Sequence, residues 1–191
     1  RCPHGLLRRF DARRRREYAV TSPRVAYLNA RLLDPASGLD THGALLIEDG
    51  KIADLGADLF KDGAPSVSKV VDCEGLCLAP GLIDGRVQLR EPGEEHKETI
   101  ETASRAAAAG GVTTMVALPN TTPVIDDVSV VEFMHRHAKE AGAVKVRCYG
   151  SVTRGTKGEQ LTEMGLLAEA GAVAFTDGTR AVANTMVMRR A

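Results

Sequence analysis

The sequence predicts a mixed α/β protein in which a small β unit precedes four βα units, the first half of an eight-stranded (β/α)8 barrel. Short strands separated by turn residues continue to Pro80, and strands then alternate strictly with helices from Gly81 onward. The later strands are nearly all apolar, which is typical of a parallel sheet covered by helices. An open doubly wound sheet fits the same alternation, but it would need a glycine-rich phosphate loop after its first strand, and residues 90–93 do not form one.

Turn residues divide the β unit into short strands. The Asp34-Pro35 pair predicts a turn after the first strand, and Asp49-Gly50 is a strong signal for a β-hairpin. The runs of strand-forming residues between these turns predict strands at 25–28, 44–48, 51–55 and 69–72.

The second part of the chain alternates between two kinds of segment. Apolar, β-branched runs predict strands at 81–89, 112–118, 144–150 and 172–176. Between them, helical patterns predict helices at 98–109, 127–141 and 159–170, with a last helix from Asn184. Asp127 is the expected N-cap of the second helix. The period of about 30 residues per unit is that of a βα repeat.

Charge is balanced over the whole chain, with 25 basic and 25 acidic residues, but it is unevenly distributed. Residues 1–20 hold seven Arg against Asp11 and Glu17, which makes this segment basic and the remainder acidic. We expect a disordered basic arm at 1–23, a small β domain at 24–80 and the half barrel at 81–191. The arm lacks interleaved aromatic residues, and no nucleic-acid-binding module follows it, so nucleic acid is not an expected partner.

Apolar runs and cysteines bear on the expected location. No run approaches the ~18 to 20 apolar residues of a membrane span, so no membrane contact is predicted. Cys77 and Cys148 lie in apolar, strand-like runs, where we expect buried free thiols. Because no pair of the four cysteines suggests a disulfide framework, a reducing, cytoplasmic location is expected.

Long polar side chains mark the end of the first barrel strand. Arg86, Gln88 and Arg90 are spaced two apart, so strand geometry places them on one face. The carboxyl ends of barrel strands carry active sites. Asn120 follows the second strand and would lie at the same rim, although a lone Asn is more often a turn former. The alternative is an edge strand with its polar face in water.

These segments together resemble one enzyme family. Residues 80–84 (PGLID), 90–93 (REPG), 109–114 (AGGVTT) and 119–121 (PNT) look like the dihydroorotase branch of the amidohydrolases in order and spacing, and 174–177 (AFTD) and 187–191 extend the match. The resemblance implies a (β/α)8 barrel beside a small β-sandwich domain. It also implies zinc-dependent, reversible closure of carbamoyl aspartate to dihydroorotate. Allantoinases are a more distant possibility.

The resemblance implies roles for individual residues. Arg90 and Asn120 match the family positions that bind the substrate carboxylate. The two zinc-binding His of the first strand are replaced by Arg86 and Gln88, and an ungapped comparison puts Gly178 at the acidic ligand. A shift of one residue would put Asp177 there instead. Since arginine has no lone pair to offer, we expect no zinc and no other cofactor.

The leading hypothesis is therefore a non-catalytic, dihydroorotase-like protein of pyrimidine biosynthesis. Such relatives serve as structural partners of aspartate carbamoyltransferase, so this enzyme is the expected partner, in an oligomer. The alternative is an active zinc-dependent cyclic amidohydrolase whose ligands lie in a missing half. We expect the chain to be a truncation of a protein about twice as long. His135 and His137, about 200° apart on the second helix, are expected to be surface residues.

Overall fold

The computed structural model describes residues 24–63 and 66–191, so the expected basic arm at 1–23 lies outside the described residues. The chain divides between Pro80 and Gly81 into two compact units. The first unit contains only strands among its described residues, and the second contains parallel strands and helices. The predicted mixed α/β class is confirmed.

The first unit is a five-stranded sheet. Its strands are β1 (Val25–Asp34), β2 (Leu39–Glu48), β3 (Lys51–Gly56), β4 (Lys69–Asp72) and β5 (Cys77–Leu78). The order is β3-β2-β1-β4, and β5 also pairs with β1. The hairpin strands β1, β2 and β3 are antiparallel, whereas β4 and β5 run parallel to β1. Ala30, Leu32 and Leu45 form its buried core.

The two turns of this sheet follow the sequence prediction. Asp49 and Gly50 both have positive φ angles, of 53° and 70°, and they join β2 to β3 as expected for a two-residue hairpin. The carboxylate of Asp34 accepts hydrogen bonds from the Ser37 hydroxyl (2.6 Å) and the Ala36 N–H (3.1 Å), which lower its pKa. Strands β1 and β2 are longer than predicted, because their pairing continues beyond a bulge to Asp34 opposite Leu39.

The second unit places helices against a three-stranded parallel sheet. Its strands are β6 (Leu82–Val87), β7 (Val112–Ala117) and β8 (Lys145–Cys148), in that order across the sheet. Its helices are α1 (Ile100–Ala109), α2 (Val128–Ala141), α3 (Met164–Glu169) and α4 (Thr185–Arg190), with one 3-10 turn at Arg154–Thr156.

The core of the second unit fixes which face of the sheet points away from the helices. Met115 and Ala117 of β7 and Val146 and Cys148 of β8 are buried in one cluster with side chains of α1 and α2. Strand residues between them therefore point to the opposite face, because side chains alternate along a strand. Leu89, just beyond β6, belongs to the same buried cluster.

Two predicted elements keep half of their expected length or less in the structure. The third helix was expected at 159–170, but α3 covers Met164–Glu169. Residues 160–162 instead pair with the chain near Thr153: the N–H of Arg154 donates to the Gln160 carbonyl, and Leu161 bridges to Thr153. The strand expected at 172–176 is reduced to a parallel bridge between Gly150 and Phe175.

The two cysteines that were predicted to be buried differ in exposure. Cys77 is exposed, which corrects the expectation of a buried thiol, because β5 is only two residues long. Cys148 is buried as expected, and its burial raises the pKa of the thiol to about 11. Among the described residues, the helices are all too short or too polar to cross a bilayer.

Candidate functional site

The carboxyl ends of β6, β7 and β8 meet at one edge of the parallel sheet. Val87 pairs with Ala117, and Ala117 pairs with Cys148, so the three strands end level with each other. Two backbone hydrogen bonds extend this edge, from the Leu118 N–H to the Val87 carbonyl (2.8 Å) and from the Tyr149 N–H to the Ala117 carbonyl (2.9 Å). The residues that follow each strand are therefore held at a common rim.

A cavity of about 230 Å³ lies at this rim. It brings together Arg86 from β6 and Gly178 from the segment after Phe175, two of the three positions at which the family resemblance implies metal ligands. The other lining residues are Gly85, Leu118, Tyr149 and Thr176.

Tyr149 is a member of this site that the sequence analysis missed. Its hydroxyl donates a 2.8 Å hydrogen bond to the Gly85 carbonyl, which ties the end of β8 to β6 across the sheet. Its position directly after β8, comparable with that of Asn120 after β7, was the available signal. The phenol narrows the cavity beside Arg86 without supplying a charge.

Gln88 is placed differently from Arg86. Both residues are exposed and lie on the face away from the helices, as the burial of Leu89 indicates, but Gln88 does not line the cavity. The backbone N–H of Arg86 donates to the Asp84 carboxylate at 3.0 Å. Strand β6 is an edge strand of the described sheet.

Arg90 and Asn120 lie on two loops that the structure joins. The Thr122 N–H donates to the Pro92 carbonyl at 3.0 Å, and Gly93 has a φ of +102° and packs so closely that a Cβ there would clash with the Thr122 backbone. The loop bearing Arg90 is thus fixed against the loop bearing Asn120. The Oδ1 atom of Asn120 is buried and has no hydrogen-bond partner among the described residues.

The Arg90 guanidinium is engaged within its own loop. Its Nη1 atom lies 2.9 Å from the Glu94 carboxylate, which also pairs with Lys97. The Lys97 ammonium, and after it the Arg90 guanidinium, lowers the pKa of Glu94 from its usual value. A ligand carboxylate at Arg90 would therefore have to share or displace Glu94.

Asp177 has a structural contact that separates it from Gly178. Its side chain is only 4% exposed, and its carboxylate accepts hydrogen bonds from the Thr153 N–H (2.9 Å) and the Thr153 hydroxyl. These contacts occupy both carboxylate oxygens. At Gly178, by contrast, an added Cβ would find only Pro119 Cδ, at 3.8 Å. Gly178 lines the rim cavity, whereas Asp177 does not.

These residues do not fit a zinc ion. A zinc ligand must offer a lone pair from imidazole, thiolate or carboxylate. Arg86 has none and carries a positive charge, Gly178 has no side chain, and Gln88 offers only an amide oxygen, which suits harder cations. Across the described ranges 24–63 and 66–191, no three His, Cys, Asp or Glu side chains form a group able to hold a metal.

A second polar contact joins Glu91 to His137, and it bears on the expected surface position of the histidines. Glu91 is 8% exposed; its carboxylate accepts from the Ile100 N–H (2.7 Å) and lies 2.7 Å from His137 Nδ1. His137 also stacks on Phe133, with ring centroids 3.9 Å apart. His137 was predicted to be a surface residue, and it is instead partly buried. His135 is partly buried too, because its ring packs against Gly171.

Comparisons with known proteins agree with this architecture. The Dihydro-orotase-like family model matches residues 75–191. The dihydroorotase of Wolbachia sp. subsp. Brugia malayi (strain TRS) is 53% identical over 169 residues, covering 88% of this chain and 38% of the relative. The dihydroorotase of Ehrlichia canis (strain Jake) is 50% identical over 168 residues, covering 87% of this chain and 37% of the relative.

Solved structures share the fold at lower identity. The L-hydantoinase from Arthrobacter aurescens superposes with a TM-score of 0.65 and 27% identity, over 81% of this chain and 32% of that one. A dihydroorotase crystal structure, at 16% identity, shares the fold with a TM-score of 0.51 over 81% of this chain and 42% of that one. The chain thus spans under two fifths of the length of the dihydroorotases it matches. With the family model matching more than half of the sequence, the chain belongs to the dihydroorotase-like family of amidohydrolases.

Proposed function

We propose that this chain is part of a non-catalytic, dihydroorotase-like protein of pyrimidine biosynthesis. One observation carries the proposal: Arg86 and Gly178 line the same cavity, where two family ligands would have to meet. Gln88, on the same strand face as Arg86, is the third substituted position.

The physical argument rests on charge and on the available lone pairs. A guanidinium stays protonated in proteins, so it cannot become a ligand at any working pH. Two like charges about 4 Å apart repel by about 4 kcal/mol even at an effective dielectric constant of 20, so Arg86 also opposes a cation beside it. Without a bound metal, nothing lowers the pKa of water from about 15.7 towards 7, and ring opening lacks its nucleophile.

The proposal includes a finer account of the fold. Strands β6 to β8 and the bridge at Phe175 would be the first four strands of a (β/α)8 barrel. The strands β6, β7 and β8 lie across the sheet in chain order, run parallel and are covered by helices, which supports this account. Residues 24–80 would be a small β-sandwich-type domain, and residues 1–23 a basic arm outside the fold.

The protein would act as a scaffold in an oligomer with aspartate carbamoyltransferase. The support is that a parallel sheet with its covering helices forms while the ligand positions are substituted. Met115 and Met134 lie in one buried cluster, and the loops bearing Arg90 and Asn120 are joined. A structural role requires the fold but does not require metal ligands.

The test uses the full-length protein. Zinc is measured by mass spectrometry after purification with and without added zinc, and cyclisation of carbamoyl aspartate is assayed on the same samples. Tagged protein is then purified from cells of the organism that naturally makes it, and the sample is examined for aspartate carbamoyltransferase. We expect no stoichiometric zinc, no turnover and co-purification of the transferase. One zinc per chain together with turnover would refute the non-catalytic role, and absence of the transferase would refute the partnership.

A second candidate is an active zinc-dependent cyclic amidohydrolase, a dihydroorotase or less plausibly an allantoinase. The favouring observation is that the chain spans only 37–38% of the matched dihydroorotases, and in this candidate the ligands come from the remainder of the protein. The zinc and turnover measurements separate the two candidates, and assays with dihydroorotate and allantoin identify the substrate if activity is present.

A further inference from the structure

Arg86 brings an unbalanced positive charge to the rim cavity. Among the described residues, no carboxylate lies within ion-pair distance of its guanidinium. Asp84, the nearest acid in sequence, accepts from the Arg86 backbone N–H instead. No acidic side chain of the described residues lines the cavity.

The other lining groups supply hydrogen-bond donors and acceptors but no compensating charge. The Thr176 hydroxyl oxygen accepts the Gly178 N–H at 3.0 Å, which leaves the hydroxyl proton free to donate. The Tyr149 proton is already given to the Gly85 carbonyl. Arg86 and Thr176 thus line a space of about 230 Å³, several times the roughly 30 Å³ share of a water molecule.

We propose that this cavity binds a small carboxylate anion through the Arg86 guanidinium, at the place where metal-dependent relatives hold a cation. This inference rests on the proposed function, because an ion of zinc and a guanidinium-bound carboxylate cannot occupy the same place. A guanidinium matches the two oxygens of a carboxylate with paired N–H donors, and the single charge of each partner balances the other. Phosphate, with a higher charge, would need more donors than this cavity supplies.

The experiment follows the Arg86 side chain directly in the full-length protein. The Nε–H signal of Arg86, assigned by its loss in Arg86→Gln, is followed by NMR during separate titrations with acetate, inorganic phosphate and chloride. We expect a saturable shift with acetate and an apparent affinity about tenfold weaker for phosphate and chloride. Calorimetry with acetate should show binding weakened about tenfold or more by Arg86→Gln and less by Arg86→Lys, which keeps the charge but loses the paired donors.

Two further variants control this result. Arg105 is an exposed arginine on α1, paired with Glu101 at 2.6 Å, and Arg105→Gln removes the same charge away from the cavity without an expected effect. Gly178→Asp places a carboxylate beside Arg86, and Asp tolerates the local φ of +69° better than most residues. This internal carboxylate should abolish the acetate response while Arg86 remains in place.

The outcomes separate this inference from the proposed function. Absence of acetate binding, an equal response to Arg105→Gln, or tighter binding of phosphate would overturn the carboxylate site. Those results would leave the non-catalytic role standing if zinc is also absent. Stoichiometric zinc displaced by Arg86 substitution would overturn both. Far-UV circular dichroism of each variant establishes that a lost response does not reflect unfolding.

Discussion

Glu91 and Arg90 are neighbours in one motif, yet the structure uses them in different ways. Arg90 stays at the rim beside Glu94, whereas Glu91 turns inward to Ile100 and His137. Ile100 is the first residue of α1, so the carboxylate satisfies an N–H that has no partner within the helix, and its charge is favourable at the helix N-terminus. Part of this motif is thus structural, whatever the rim binds.

Replacing Glu91 should cost stability. Glu91→Ala removes two hydrogen bonds of a buried charged group, and we expect the free energy of unfolding to fall by about 2–3 kcal/mol. Urea denaturation followed by circular dichroism measures this change. The matched control is Glu101→Ala on α1, whose pair with Arg105 is exposed and should contribute less than about 1 kcal/mol. Equal effects of the two substitutions would show that the Glu91 contacts do not stabilise the fold.

The position of a single residue can be predicted from the sequence where it depends only on local backbone geometry. Alternation along β6 is a local property, so placing Arg86 and Gln88 on one face required no tertiary information. The contact of His137 with Glu91 joins residues 46 positions apart. The angle between two side chains on a helix does not reveal which distant loop will cover either of them. The same limit hid Tyr149, whose partner Gly85 lies 64 positions away.

Among the elements, α2 shows how strong terminal signals make a helix predictable. Asp127 accepts hydrogen bonds from the Ser129 hydroxyl (2.7 Å) and N–H (2.9 Å), and Gly142 ends the helix with a φ of +63°. Helix α3 lacks a side-chain N-cap bond, and its expected first turn is used in pairing with residues 151–154. That pairing depends on where the chain returns after β8, which a helical pattern does not encode.

The N-cap of α2 gives an element-scale prediction. Asp127→Ala should lower the free energy of unfolding by about 1 kcal/mol, and Asp127→Asn, which keeps an acceptor oxygen, by less. The Ser129 hydroxyl and N–H lower the pKa of Asp127 in the folded chain. The charged cap therefore stabilises the fold above the unfolded pKa near 4, and this contribution is lost as the pH falls through the lower folded value.

Thermal unfolding of the wild type and both Asp127 variants at pH 7 and pH 3 checks that prediction. The difference between the wild type and Asp127→Asn should shrink at the lower pH, because the wild-type carboxyl is then increasingly neutral. Ser129→Ala removes the hydroxyl donor to Asp127, so the stability of this variant should also depend less on pH than that of the wild type. A difference that grows on acidification would contradict the assigned role of the charge.

At the scale of the whole molecule, the family's metal-ligand positions come from several elements at once. Arg86 belongs to β6, Gln88 follows directly after it, and Gly178 comes from the chain after the Phe175 bridge, so only the assembled sheet brings these positions to one rim. The sequence predicted which residues stand at these positions through the family resemblance. It could not predict that the Asp177 carboxylate would be occupied by Thr153, because that contact depends on the loop after β8.

Rebuilding the ligands tests whether these three substitutions account for the loss of zinc affinity that we propose. The full-length Arg86→His, Gln88→His, Gly178→Asp variant regains two imidazoles and a carboxylate, and it should retain about one zinc per chain where the wild type retains none. The control variant carries Arg86→Gln and Gln88→Asn with the same Gly178→Asp, which removes the guanidinium charge without adding imidazole. If relief of charge repulsion alone restored binding, the control would hold as much zinc as the rebuilt variant. We expect zinc only in the rebuilt variant, because removing a positive charge opens the place for a cation but does not supply the lone pairs that hold it.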